Sequence, residues 1–303
     1  MADYTTPQPT TDIEELVPEL AEFSRITTRL HPHQVTTDPP ADQSKIGGMF
    51  LWPRDEIWPM CPDRGVPYVS VLQLTREDFP DVEFVGGTDL FQLLWTPYQD
   101  ESTSLPLPLI FWRKAADISD PLLAAPNLED YDLDLDDWSI SENIPNLCTV
   151  HPERVMEYPE PDQIYWWAGL ERAEAILEQI GQSDFTVPDE ISKQSGQTPV
   201  EDIRKSYYWS NLSQCPGAKV GGGGSVKRDG IHWEHFITLP SWEYDAGNYL
   251  RWQPIEDRWE STHTHFEDLK EPMGMAFGRT QDVQIWICRE TDPWQIKMNI
   301  SGG

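Results

Sequence analysis

The chain has 303 residues, with 52 acidic against 22 basic side chains and a formal net charge of −30. A field of that sign repels nucleic-acid phosphates and anionic membranes while steering a basic partner inward, most strongly at low salt. The composition also excludes a disordered acidic tail, because 14 Trp, 10 Tyr and 10 Phe supply apolar area that offsets chain entropy.

The same acidity equally suits a surface tuned only for solubility, or for a saline source. No apolar run is long enough to span a bilayer, and the N-terminus Met1-Ala-Asp-Tyr-Thr-Thr-Pro7 lacks the basic and apolar regions of a signal peptide. The expected location is therefore cytoplasmic. Cys61, Cys148, Cys215 and Cys288 are scattered without a C-x-x-C spacing, which argues against a zinc ribbon or a redox dithiol and for small buried residues.

Taken in chain order, residues 11–28 (TDIEELVPELAEFSRITT) read as the start of an amphipathic helix capped by Asp12 and interrupted by Pro18. With the His-Pro-His and Asp-Pro-Pro elements that follow, residues 1–40 form an N-terminal helix and extended arm. Residues 69–74 and 90–95 are β-rich and follow turn signals, which predicts a pair of strands. The acidic stretch 129–137 alternates Asp with Tyr and Leu, as an exposed edge or loop with apolar anchors would. Residues 162–181 (DQIYWWAGLERAEAILEQIG) predict one helix, capped by Asp162, with Leu170, Ala173, Leu177 and Ile180 on one face and Gly181 ending it in a left-handed conformation. A polar segment at 183–197 marks a boundary, and a short helix is predicted over 201–209.

An internal parallel organises these elements. Lys45-Ile46-Gly47-Gly48, Leu72-Gln73-Leu74 and the run 87–94 recur in class and order as Lys219-Val220-Gly221-Gly222, Ile237-Thr238-Leu239 and the run 278–287. The predicted fold is α+β, a β-rich core built from two related halves, 41–182 and 183–303, in one compact domain with a few packed helices. Gly47, Gly48, Gly221 and Gly222 are expected to be turns opening equivalent β-units, with Lys45 and Lys219 beside them. The alternative is a backbone nest for phosphate ending in the two lysines, although neither motif has the Gly-Lys-[Ser/Thr] of a P-loop.

At the residues Lys45-Ile-Gly-Gly-Met-Phe-Leu-Trp-Pro53, Ile57-Trp-Pro-Met-Cys61, Leu72-Gln-Leu-Thr-Arg-Glu-Asp-Phe-Pro80, Gly87-Thr-Asp-Leu-Phe-Gln-Leu-Leu-Trp95, Lys219-Val-Gly-Gly222 and Leu239-Pro-Ser-Trp-Glu-Tyr-Asp245, the chain resembles the YwqG-like family of domains of unknown function. The resemblance implies a two-part α+β architecture and no established activity. Some members occur in bacterial toxin systems, where they look like immunity proteins. A paired-cysteine segment of several relatives is replaced here by Gly222-Gly-Gly-Ser-Val-Lys-Arg-Asp-Gly230, so no metal site carries over to it.

Three chemistries remain to be weighed. The histidine pairs His31 and His33, His232 and His235, and His263 and His265 could meet around a metal with Glu234 or Glu267, but they match no complete ligand signature. Cys61 and Cys215 lack the sequence context of an activated nucleophile, and carboxylates are too abundant for one pair to stand out. Aromatics ringed by acids, at Asp130, Tyr131, Asp132, Asp134, Asp136 and Asp137 and at Trp242, Glu243, Tyr244 and Asp245, suit recognition of a basic protein surface. The other reading of those segments is a core Trp and Tyr with solvated acids. The net charge, taken with what the YwqG-like resemblance implies, points to an acidic protein-binding protein of the immunity or antitoxin kind, facing a basic partner such as a toxin domain. No enzymatic signature, cofactor, nucleic acid or membrane is implied, and the alternative is a metal- or small-ligand-binding protein using the histidines.

Overall fold

Pro18 divides the first amphipathic stretch. Asp12 accepts hydrogen bonds from the backbone N–H groups of Glu14 and Glu15 and caps α1 (Ile13–Leu16), after which the chain restarts as a 3-10 turn over Pro18–Phe23. Proline has no N–H to give the preceding turn, so one continuous helix cannot form. The structure, a computed structural model, describes residues 4–188, 198–228, 230–259, 270–278 and 281–301.

The strands are β1 (Arg25–Arg29), β2 (His33–Gln34), β3 (Lys45–Ile46), β4 (Val69–Thr75), β5 (Leu90–Gln99), β6 (Pro106–Arg113), β7 (Cys148–Thr149), β8 (Glu153–Glu157), β9 (Lys219–Gly221), β10 (Ser225–Arg228), β11 (Ile231–Pro240), β12 (Asp282–Cys288) and β13 (Gln295–Ser301). They form a six-stranded sheet in the order β2-β7-β3-β4-β5-β6 and a seven-stranded sheet in the order β13-β12-β11-β9-β1-β8, with β10 pairing β11. All pairings are antiparallel.

Alternation along the strands explains how the sheets pack. Leu72, Leu74, Phe91, Leu93 and Trp95 from one sheet share a core with Ile237, Leu239, Val283, Ile285 and Ile287 from the other. The two sheets therefore meet face to face, and each keeps a second, outer face. On the six-stranded sheet that face is covered by Phe50, Trp52, Trp58 and Tyr68. The short α2 (Trp138–Ser141) joins that cover through Ile140, whereas helices α3 (Pro161–Ala168), α4 (Leu170–Gln182) and α5 (Val200–Tyr207) pack with α1 in a separate cluster built on Ile164, Ile176, Ile180 and Tyr208. The architecture is α+β: two antiparallel sheets and a few helices.

The single helix expected over 162–181 is two. Gly169 takes φ 78° and ψ 164° and separates α3 from α4, a backbone region open essentially to glycine alone. Glu160 rather than Asp162 is the N-cap, with Pro161 as the first helical residue. Gly181 does not end the helix, which continues to Gln182 and stops at an extended Ser183. Ala173 and Ile180 are buried as expected and Leu177 packs partly against the cluster, but Leu170 is 66% exposed because it starts a new helix instead of continuing an old face.

Boundaries at 40 and 182 do not coincide with the sheets. β1, inside the expected arm, lies between β8 and β9 of the seven-stranded sheet, and β8 comes from the expected first half. Helix α4 likewise packs against α5 across the expected division.

Candidate functional site

The outer face of the seven-stranded sheet is built by period-2 alternation. On β12 Val283, Ile285 and Ile287 enter the core, so Asp282, Gln284 and Trp286 point outward. On β13 the outward residues are Lys297, Asn299 and Ser301, and Trp233 and Thr238 reach the same side from β11. Helix α3 brings Trp166 and Trp167 over this face, and the turn after α5 brings Trp209. Between sheet and helices lies a cavity of about 1150 Å³.

Six tryptophans line it: Trp166, Trp167, Trp209, Trp233, Trp242 and Trp286. Trp166 and Trp209 are 69% and 57% exposed and stand at its mouth. Two of these indoles already hold a cation against a ring face, the Arg25 guanidinium at 5.8 Å from Trp167 and the Lys270 ammonium at 4.2 Å from Trp242. Gly224 permits the close approach of Trp167: with φ 73°, an added Cβ would stand 2.5 Å from the ring.

Four carboxylates, Glu160, Asp162, Asp245 and Asp282, share the lining with the cations Lys219, Arg228 and Lys297. Lys219 is committed elsewhere. Its Nζ lies 2.7 Å from Glu157 Oε1, both side chains being almost fully buried. Burial alone would lower the lysine pKa, but the Glu157 charge outweighs it and holds the ammonium above its usual range. Asp282 makes no ion pair among the described residues. Burial pushes its carboxyl up to about 7, with Lys219 opposing and the Glu160 and Glu243 charges adding. Burial also raises Glu160, again against Lys219.

The residues singled out from the sequence fall in different places. Lys45 and Lys219 occupy matching positions on β3 and β9, followed by glycines at φ 67° and 71° (Gly47, Gly48) and at φ 82° and 87° (Gly221, Gly222). Neither lysine faces an anion site. The Lys45 Nζ is 2.7 Å from Asp38 Oδ1 and donates to the Pro39 carbonyl at 2.7 Å, so both lysines are spent on internal carboxylates. The phosphate-nest alternative therefore lacks its charged ends.

Glu243 and Tyr244 are buried, which removes them from the expected contact surface. Glu243 instead accepts the backbone N–H of Ala218 at 3.0 Å. Trp242 is partly exposed and Asp245 exposed, and both border the cavity. Asp130, Asp132, Asp134, Asp136 and Asp137 are exposed, while Tyr131 turns inward with Leu133 and Leu135 onto the cluster around Trp52. Asp137 also caps the turn Trp138–Ser141.

The two histidine pairs within the described residues do not meet. His31 Nε2 lies 2.8 Å from Glu153, and His33 uses Nε2 on Asp257 at 3.1 Å and Nδ1 on the His31 carbonyl at 3.0 Å. His235 is buried, with Nδ1 2.9 Å from the Gly221 carbonyl and Nε2 2.9 Å from Thr238 Oγ1, whereas His232 is 41% exposed at its side chain. His263, His265 and Glu267 lie outside the described residues. Among the described residues no group of three His, Cys, Asp or Glu side chains is arranged to hold a metal. All four cysteines are free and buried, and burial raises the Cys215 thiol, which disfavours a nucleophilic thiolate.

Asp282, Glu160 and five of the six cavity tryptophans escaped the sequence reading. Strand alternation in 282–287 was the signal available. It marks Asp282, Gln284 and Trp286 as one face but not what covers that face. Among the described residues no helix is long and apolar enough to cross a membrane. No family model matches the chain, and no curated protein matches its sequence.

Proposed function

We propose that the chain is a binding protein whose site is the cavity on the outer face of the seven-stranded sheet, and that it takes a ligand presenting an ammonium or guanidinium group beside an apolar body. The observation that carries this reading is the convergence of six tryptophans and four carboxylates on one concave site. Indole faces attract cations, and a carboxylate held in a partly desolvated cavity pairs with one more strongly than it would in water. Asp282 supplies the carboxylate without an ion-pair partner among the described residues. The Arg25 and Lys270 contacts are internal precedents for the stacking.

Isothermal titration with arginine amide, and with its neutral isostere citrulline amide, tests the reading. Binding of the first, at least tenfold preference over the second, and at least tenfold loss in Asp282→Asn are expected. Equal binding of both, or no binding of arginine amide at millimolar concentration, overturns it.

A second reading keeps the acidic surface as the contact, in a cytoplasmic protein of the YwqG-like kind that neutralises a basic toxin domain. The exposed carboxylates at 130–137, held outward while Tyr131, Leu133 and Leu135 anchor the loop, favour it. Replacing Asp130, Asp132, Asp134 and Asp136 by Asn should then reduce capture of a basic partner at least tenfold. Unchanged capture counts against that surface.

A further inference from the structure

The two sheets correspond position by position, and the correspondence indicates what the cavity is shaped to receive. In one sheet Lys45 pairs with Gln73, Gln73 with Gln92 and Gln92 with Phe111; in the other Lys219 pairs with Thr238, Thr238 with Gln284 and Gln284 with Asn299. Even the register shifts coincide, between Ser70 and Leu72 on β4 and between His235 and Ile237 on β11. Gln284 thus stands where the other sheet has Gln92, Trp286 where it has Leu94, Asp282 where it has Leu90, and Ser301 where it has Arg113.

On the six-stranded sheet the chain itself covers these positions. The backbone N–H of Leu51 donates to Gln73 Oε1 at 3.0 Å, and Gln92 Nε2 donates to the Leu51 carbonyl at 2.8 Å. Trp52 and Trp58 then pack over Leu94. The Arg113 guanidinium donates to Glu56 at 2.6 and 2.7 Å and lies 4.3 Å from the Trp52 ring. Residues 49–58, extended as far as Pro53 and turning at Arg54–Glu56, therefore lie on the outer face by backbone bonds to two glutamines, Gln73 and Gln92, by indole packing and by one ion pair.

On the seven-stranded sheet the chain does something else after Gly221-Gly222. It passes through Gly223 and Gly224 into β10, which pairs with β11, and among the described residues no segment follows over β12 the course that residues 49–58 take over β5. The Gln284 amide has no hydrogen-bond partner among the described residues. Charge is reversed as well: the first sheet supplies the cation, Arg113, and its cover supplies the carboxylate, Glu56, whereas the second sheet supplies the carboxylate, Asp282, and has Ser301 in the arginine's place. At the Asp282–Ser301 pair a cover completes the match by bringing the cation, since the sheet's own outward cation, Lys297, stands four residues along opposite Trp286.

We propose that the cavity receives a segment of a partner polypeptide, extended where it meets Gln284 and lying as residues 49–58 lie on the other sheet, with its backbone bonded to the Gln284 amide, an aromatic side chain among the tryptophans around Trp286, and an arginine or lysine on Asp282. This rests on the cation-binding reading above and names the partner's chemistry. The mode is recognition of an extended peptide by backbone hydrogen bonds, with side-chain pockets for specificity.

The probe is a synthetic peptide of residues 48–58 carrying Glu56→Arg, titrated calorimetrically into the full chain alongside arginine amide. The peptide is expected to bind at least tenfold more tightly than arginine amide and than the same peptide with Glu56 retained. Gln284→Leu should bring its affinity down to that of arginine amide. Ser301→Arg, which restores a cation on the sheet as Arg113 does, should abolish peptide binding in a chain whose near-ultraviolet dichroism is unchanged. Arginine amide binding without any gain for the peptide overturns the peptide inference and leaves the cation site standing. Peptide binding indifferent to both variants overturns it too, since the peptide would then lie elsewhere, and failure of both ligands removes the cation site as well.

Discussion

At the scale of single residues, the two buried lysines differ in what they would leave behind. Lys219→Met strands Glu157, whose side chain is 1% exposed and which also accepts the Cys215 backbone N–H at 2.8 Å. Breaking a buried pair from one side costs roughly 3–5 kcal/mol, because the remaining charge has no water to turn to. Lys45→Met strands Asp38, whose side chain is 36% exposed and also accepts the Met49 backbone N–H, so less than half that loss is expected. Urea denaturation of the two variants compares them directly, and equal losses would refute the distinction. A lysine before two glycines is visible in the sequence, but its partner is not: Glu157 lies 62 residues away and reaches it only through the sheet.

His235 gives the residue-scale pH prediction. Burial, helped by the Lys219 charge, holds its pKa down to about 3, whereas the unfolded chain takes up the proton near the ordinary 6.5. Stability from this group is therefore complete above pH 6.5 and is lost as pH falls toward the folded value. The unfolded state binds the extra proton throughout that window. His31, lowered to about 4 chiefly by burial, acts in the same direction. Asp282 acts oppositely: its folded value near 7 exceeds the usual 3.8, so it favours the folded state at acid pH and loses that contribution as pH rises through 7. Subtracting the stability curve of His235→Asn from that of the parent isolates one group. The difference should shrink by about 1.4 kcal/mol for each pH unit between 6 and 4, and a flat difference would show that His235 is charged in the folded chain.

Among the elements, Gly169 decides where the cavity's roof sits. Its left-handed break lets α3 and α4 leave in different directions, so that α4 joins the helical cluster while Trp166 and Trp167 stay over the sheet. Nothing lies within 4 Å of where a Cβ would stand, so Gly169→Ala incurs backbone strain and no clash. About 1–3 kcal/mol of destabilisation is expected in urea denaturation, and a neutral result would mean that the break is not held by the rest of the fold. The sequence shows the apolar repeat on both sides of Gly169 but cannot show the turn, since a glycine inside a helical pattern is equally compatible with continuation. The strands at 69–74 and 90–95 were legible because alternation and turn signals are local. Membership of β1 and β8 in the far sheet was not, because it is set by pairing of Arg25–Arg29 with Glu153–Glu157 across most of the first half.

The whole molecule carries 52 acidic and 22 basic side chains, and its ion pairs cannot neutralise that excess. Several of them, such as Arg54 with Asp120 and Arg154 with Asp81, lie in water where a pair contributes little. The acidic excess was legible from composition alone; its separation into a solvated surface at 130–137 and buried carboxylates such as Glu157 and Glu243 was not, because burial is decided by strand pairing rather than by residue type. Like charges at that density repel one another in the compact state, and the repulsion acts through solvent over about 30 Å at 0.01 M salt but only about 3 Å at 1 M. The melting temperature should therefore rise with sodium chloride, by about 2–4 °C for each kcal/mol of repulsion relieved, and should level off as 1 M is approached. A cationic ligand responds the other way, since the field that destabilises the free protein is the field that draws the ligand in; its association should slow over the same salt range. Scanning calorimetry and stopped-flow binding over one salt series read both effects. A melting temperature still climbing well beyond 1 M would assign the acidity to salt adaptation, and a flat one would show that the surface charges are already too far apart to matter.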